Sequence, residues 1–160
     1  METPDFIQAE PLPEPEPYEP GYPRAAGILP GLGERLTWIT GLVLAVSAFT
    51  GWYTGSGDGL NIAVVGWHTG VLGKLVFFVG LALIALVLLR EAGIEPPAAV
   101  PESLVVVALG MLSTIFVLIR LISIPDAVLP ADGRGIGIYI SLAASLVAIA
   151  AGVVRASEEL

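Results

Sequence analysis

From Leu36 onward the chain is a succession of apolar runs, separated by short stretches that hold most of the charge and all of the proline of that region. A helix needs ~20 apolar residues to cross a hydrocarbon core about 30 Å thick, and each run approaches that length. Divided where charges interrupt them, the runs predict four helices at about 36–55, 71–90, 103–124 and 135–154. The first meets no charge before Asp58. The second has Lys74 near its start and is closed by Arg90, the third holds Arg120 near its end, and Arg155 closes the fourth. The runs are uniformly apolar where a barrel strand would alternate, and about twice as long as such a strand requires, so they read as helices. None carries the polar stripe that a soluble bundle turns to water. The expected fold class is therefore all-α membrane: a four-transmembrane-helix, up-down-up-down bundle with a disordered N-terminal tail.

The segments divide accordingly into a tail at 1–33, a transmembrane domain at 34–155 and a short C-terminal tail at 156–160. Eight of the thirteen prolines fall within the first thirty residues, interleaved with Glu10, Glu14, Glu16 and Glu19. Proline removes backbone donors and drives its neighbours to extended geometry, and this stretch has too little apolar surface to offset the entropy of ordering. A partly polyproline-II tail is expected, either a solvated spacer or a segment that docks a partner through Tyr18 and Tyr22. It lacks the basic start and apolar core of a cleaved signal peptide, so the first helix is expected to act as its own insertion signal.

Composition sharpens this picture. Hydrophobic residues make up 55% of the chain and mean hydropathy is +0.84, far from the soluble globular range. Cysteine is absent, which excludes disulfides, thiolate metal sites and cysteine nucleophiles. The net charge is −8 and the tail is acidic, the wrong sign for nucleic acid or anionic lipid. Lys and Arg beside the helices set orientation: Arg24, Arg35, Arg90 and Arg155 share one side, against Lys74, Arg120 and Arg134 on the other. Both termini are thus expected to be cytoplasmic, in a multi-pass protein of the plasma (inner) membrane.

On the outer side, the loop from Gly51 to Thr69 begins glycine-rich and continues as a β-prone run, Leu60 to Val65. Trp38, Trp52, Tyr53 and Trp67 sit where interfacial aromatic belts sit, ring at the headgroups and polar edge in water. Lys74 and Arg120 approach the same face of the bilayer. Either they snorkel to the interface, or they join Asp58, His68, Asp126 and Asp132 in an outer-rim polar cluster able to bind an anionic headgroup or relay protons.

Catalysis finds no support. His68 is the single histidine and has no second histidine or carboxylate at metal-binding spacing, and no serine-nucleophile motif accompanies it. No metal and no cofactor are expected. Nothing deeper in the helices is ionisable, and Ser47, Ser113, Thr114, Ser141 and Ser145 are expected to bond their own helix or a neighbour. Ala144, Ala148 and Gly152 recur every fourth residue on the last helix, a stripe that lets helix backbones approach within the monomer or in a homo-oligomer.

The aromatic pair Trp52 and Tyr53, the Gly66-Trp67 approach to the second helix, and Arg120-Leu121 followed by Pro125-Asp126 after the third resemble small uncharacterised four-helix membrane proteins common in high-GC bacteria. The resemblance covers residues 36–155 and implies a topology without an activity. Claudin-like proteins also have four spans and a tryptophan in the first outer loop, but their paired loop cysteines are missing and this loop is short for their sheet. The function expected is a non-catalytic accessory or scaffold protein that lies in the lipid bilayer and meets a membrane or cytoplasmic protein through its tail or first outer loop. The alternative is a small oligomeric transporter or channel with Lys74 and Arg120 at an outer vestibule.

Overall fold

A computed structural model describes residues 31–57, 60–94, 101–123 and 131–159. The chain is mostly helical, with helices α1 (Leu32–Ser47), α2 (Val71–Glu91), α3 (Glu102–Ile122) and α4 (Ile136–Glu158). Strands β1 (Gly51–Gly57), β2 (Leu60–Val65) and β3 (Ala131–Arg134) form one antiparallel sheet in the order β2-β1-β3. Residues 1–30 of the expected tail fall outside the described residues, whereas Leu32 and Gly33, expected to belong to it, open α1. Three helices, α2, α3 and α4, are long and apolar enough to cross a membrane.

Two expectations need correction. The all-α class omits the sheet, and the first helix, expected at 36–55, runs instead from Leu32 to Ser47. Its start lies earlier because Gly31, at φ +80°, turns the chain into the helix in a backbone region that side-chain-bearing residues avoid. Its end lies earlier because Phe49 and Thr50 donate to the carbonyls three residues back, Val46 and Ser47, which tightens and closes the last turn. Gly51 then opens a stretch of Trp, Tyr and Thr that favours strand over helix. The loop-length reason against a sheet also fails, because β3, from the connection between α3 and α4, adds to the β1–β2 hairpin. The missing cysteines still separate this chain from claudins. At the other end, α4 continues past the expected 154 to Glu158, since nothing in Arg155-Ala-Ser-Glu breaks a helix.

Small residues set the spacing of the helices. A Cβ on Gly80 of α2 would stand 2.7 Å from the Ala45 nitrogen and the Gly41 oxygen of α1, so those backbones touch. Ala144, Ala148 and Gly152 are buried, and a Cβ on Gly152 would come within 2.8 Å of the Val107 nitrogen on α3. This face of α4 therefore packs against α3 within one chain. Between these contacts Leu44, Val76, Leu83, Val106, Val117 and Ile138 fill the interior. The outer surface is apolar too: Phe78, Leu88, Leu104, Met111, Ile115, Leu146 and Val153 are all exposed.

Buried hydroxyls are satisfied locally. Thr37 donates to the Gly33 carbonyl at 2.7 Å, Thr40 to that of Leu36 at 2.7 Å, and Ser145 to that of Leu142 at 2.8 Å. Two pairs also bridge helices: the Ser141 and Ser47 hydroxyls lie 2.8 Å apart, and those of Thr114 and Ser145 3.0 Å apart. Ser113 Oγ, by contrast, is buried with no partner among the described residues.

Candidate functional site

The charged groups divide between the two ends of the bundle. At the sheet end, the expected cluster is only partly in view. Lys74, in the first turn of α2, is exposed, with Nζ 5.6 Å from the centre of the Trp67 ring. Trp67 itself stacks on Phe49 at 5.4 Å and meets the edge of Phe77 at 5.4 Å. Arg120 reaches the start of the same helix: its Nη2 lies 2.7 Å from where a Cβ on Gly70 would stand. Gly70 has φ +104°, so glycine both permits that backbone and leaves room for the guanidinium. Arg120 Nε is buried without a hydrogen-bond partner among the described residues. His68 is exposed in a 3-10 turn, Gly66–His68. Asp58 and Asp126 lie outside the described residues, as does the side chain of Asp132 on β3. No ion pair to Lys74 or Arg120 forms among the described residues.

The aromatic belt needs correction at two positions. Trp52 is fully buried and Tyr53 nearly so, although successive strand residues normally point to opposite faces. The β1–β2 register shifts between Gly51 and Tyr53, which leaves Trp52 as the extra residue of a β-bulge and turns both rings inward. Trp52 Nε1 donates to the Ser47 carbonyl at 2.8 Å, and the Tyr53 hydroxyl donates to the Arg120 carbonyl at 2.5 Å. Trp38 and Trp67 keep substantial exposure, as a belt residue would.

Burial pushes the Tyr53 phenol above its ordinary value of 10.0, while the Arg120 and Arg134 charges pull the other way. Since the folded state holds this proton more tightly than the unfolded chain, its stabilising contribution is complete below the ordinary value and is lost as pH rises through the folded one. Tyr53→Phe is expected to cost about 1 kcal/mol at neutral pH from the lost hydrogen bond. The variant should also lose less stability than the parent as pH rises above the ordinary phenol value of 10.0. Thermal melting across that range checks both points, and parallel pH profiles for the two proteins would contradict the assignment.

At the opposite end sits a network that the sequence pattern did not reveal. Arg155 on α4 is buried, its side chain only 2% exposed, and its Nη2 approaches Glu102 Oε1 of α3 at 2.7 Å. Arg90 of α2 reaches the other carboxylate oxygen at 3.5 Å. The Arg155–Glu102 approach is a charge contact without hydrogen-bond geometry, and Arg155 Nε and Nη1 have no partner among the described residues. The last turn of α4 completes the network: Ser103 Oγ donates to Glu159 Oε2 at 2.8 Å, and the Gly33 N–H donates to Glu158 Oε1 at 3.4 Å. Two acids of α4 thus sit on the N-termini of α1 and α3, while basic side chains sit at the C-terminal ends of α2 and α4. That is the arrangement favoured by helix dipoles. Gly33 leaves room for it, because a Cβ there would collide with the Arg155 side chain.

Beside this network, between α1 and α2, a cavity of about 580 Å³ is lined by Gly31, Glu34, Arg35, Trp38, Ile39, Val87 and Glu91. No group of three or more metal-ligating side chains occurs among the described residues.

The fold and its charge distribution define a class: a mostly helical protein with three helices long and apolar enough to cross a membrane, tied by charge at one end and capped by a small sheet at the other. No family model, no curated protein and no solved structure matches the chain.

Proposed function

We propose that this is a multi-pass protein of the plasma (inner) membrane, with four spans and both termini cytoplasmic, acting as a non-catalytic accessory or scaffold subunit. The fourth span is α1. Although it has only 16 residues, Gly33 near its start meets Arg155, and Thr50 just beyond its end meets Gly137. It therefore runs beside nearly the whole of α4, in the opposite direction, and both cross if α4 does. Arg35, Arg90 and Arg155 gather at the tail end, and with Arg24 in the sequence they exceed Lys74, Arg120 and Arg134 by one, the bias on which the cytoplasmic orientation rests.

One observation carries the scaffold reading. Between the two charged ends, the bundle interior holds only apolar and hydroxyl side chains among the described residues, and nearly all of those hydroxyls are bonded to backbone or to one another. A transporter's substrate site usually lies near the midplane, where ionisable groups or unwound helices offer ligands, and α1 to α4 are continuous there.

Crosslinking followed by affinity capture of the full chain from native membranes tests the proposal. A specific protein is expected to co-purify and to be lost when residues 1–30 are deleted, while Lys74→Met and Arg120→Leu leave capture intact. Self-crosslinked species alone, together with ion or solute flux abolished by Lys74→Met or Arg120→Leu, would overturn it in favour of an oligomeric channel or transporter.

A further inference from the structure

The cavity between α1 and α2 has both charged and apolar lining. Its charged mouth is Glu34, Arg35 and Glu91, and its apolar wall is Trp38, Ile39 and Val87. Arg35 and Glu91 are exposed, and none of the three charged groups has an ion-pair partner among the described residues. The nearby Arg90 points elsewhere, to Glu102. Trp38 is 42% and Ile39 50% exposed, so the apolar wall is open to whatever surrounds the bundle at this level.

The charges are arranged in a polarised way. Arg35 stands in the first turn of α1, and Glu91 is the last residue of α2. Because the two helices are antiparallel, the positive pole of one lies beside the negative pole of the other, and Arg35 and Glu91 reinforce those poles. A ligand matching this site carries both an anion and a cation on one end and hydrocarbon on the other.

We propose that this cavity is a binding site for a zwitterionic phospholipid with a primary ammonium headgroup. The phosphate meets Arg35, the ammonium is shared by Glu91 and Glu34, and the first acyl carbons lie on Trp38 and Ile39. The two carboxylates and one guanidinium leave the mouth one charge negative, which disfavours an anionic lipid. A quaternary ammonium has no N–H to donate to the carboxylates, which disfavours a choline headgroup. The inference rests on the membrane reading given above.

The test uses the full chain in nanodiscs of equal parts phosphatidylethanolamine, phosphatidylglycerol and phosphatidylcholine, released for native mass spectrometry. Ethanolamine lipid is expected to be retained about fivefold over each of the others, the upper range for partly exposed charge pairs. Glu34→Gln combined with Glu91→Gln should remove that preference, and Arg35→Gln should reduce retention of all three lipids. These side chains lie at the rim of the bundle, and an unchanged circular dichroism spectrum verifies folding. Equal retention of the three lipids, or a preference that survives the double Gln change, overturns the site. Ethanolamine-lipid retention that appears only after deletion of residues 1–30 overturns it in the full chain and assigns the cavity to the tail. Alkaline carbonate extraction separates the two levels: a chain that leaves the membrane with carbonate defeats the membrane reading itself, and the lipid site with it, whereas an integral protein without lipid preference defeats only the site.

Discussion

Glu102→Ala is expected to lower the unfolding free energy by about 3–5 kcal/mol, the usual consequence of removing one partner from a buried ion pair. The reason lies in what remains. Arg155 stays buried, 2% exposed, with Nε and Nη1 already lacking partners, and its one ion-pair partner among the described residues is gone. With that charge left unpaired in the interior, the chain must either bring water to it or separate α4 from α3 and α1. Glu102→Gln should fall between parent and Ala, since it keeps the shape and loses the charge. The decisive variant is the double change, Glu102→Ala with Arg155→Met. An unbranched apolar side chain fills the Arg155 channel past Gly33 without carrying charge, and replacement of a buried pair by hydrophobic groups is often neutral or stabilising. The double variant should therefore recover most of what Glu102→Ala loses. Equilibrium unfolding of the four proteins in one detergent measures this, and a Glu102→Ala cost below about 1 kcal/mol would mean that water already solvates Arg155.

That network shows how much of the molecule could be read from the sequence. The positions of α2, α3 and most of α4 follow from apolar runs and the charges that end them, because length and hydropathy are local properties. The α4 face was legible as well: Ala144, Ala148 and Gly152 recur every fourth residue, and all three are buried against α3. Arg155 lies three residues beyond Gly152 on the same helix face, yet the small-residue stripe did not announce it. A terminal arginine usually reads as a stop for the helix, and that habit hid it. Its partners could not be read this way, since Gly33 and Glu102 are distant in the sequence and only the packing of α1 and α3 on α4 brings them together. The sheet failed for a similar reason. Leu60 to Val65 was visible as a β-prone run, but β3 contributes only Ala131–Arg134, too short and too polar to announce itself. The outer-rim cluster stays half drawn: Arg120 and Lys74 both converge on the start of α2, and the acids expected to meet them lie outside the described residues.

Trp52→Ala is expected to cost about 3–5 kcal/mol, the range for truncating a fully buried large aromatic side chain. The position is where the sheet and the bundle interlock. A bulge in β1 turns the ring inward, and Nε1–H donates to the carbonyl of Ser47, the last residue of α1, which also accepts from Thr50. The ring also packs so closely on Gly66 that a Cβ there would stand 2.5 Å from Cε2. One side chain thereby links the end of α1, the strand β1 and the turn leading into α2. Truncation empties that space and leaves the Ser47 carbonyl with one donor fewer. Trp52→Phe should recover part of the packing but not the hydrogen bond, and so lie about 1 kcal/mol or more below the parent. Hydrogen exchange localises the effect: in Trp52→Ala the amides of β1 and β3 should exchange faster while those at the centres of α3 and α4 stay protected, because the latter pack on one another independently of the ring. Unchanged sheet protection with melting close to the parent would show that the sheet is held by Tyr53 and Arg134, through their bonds to the Arg120 and Leu121 carbonyls, rather than by Trp52.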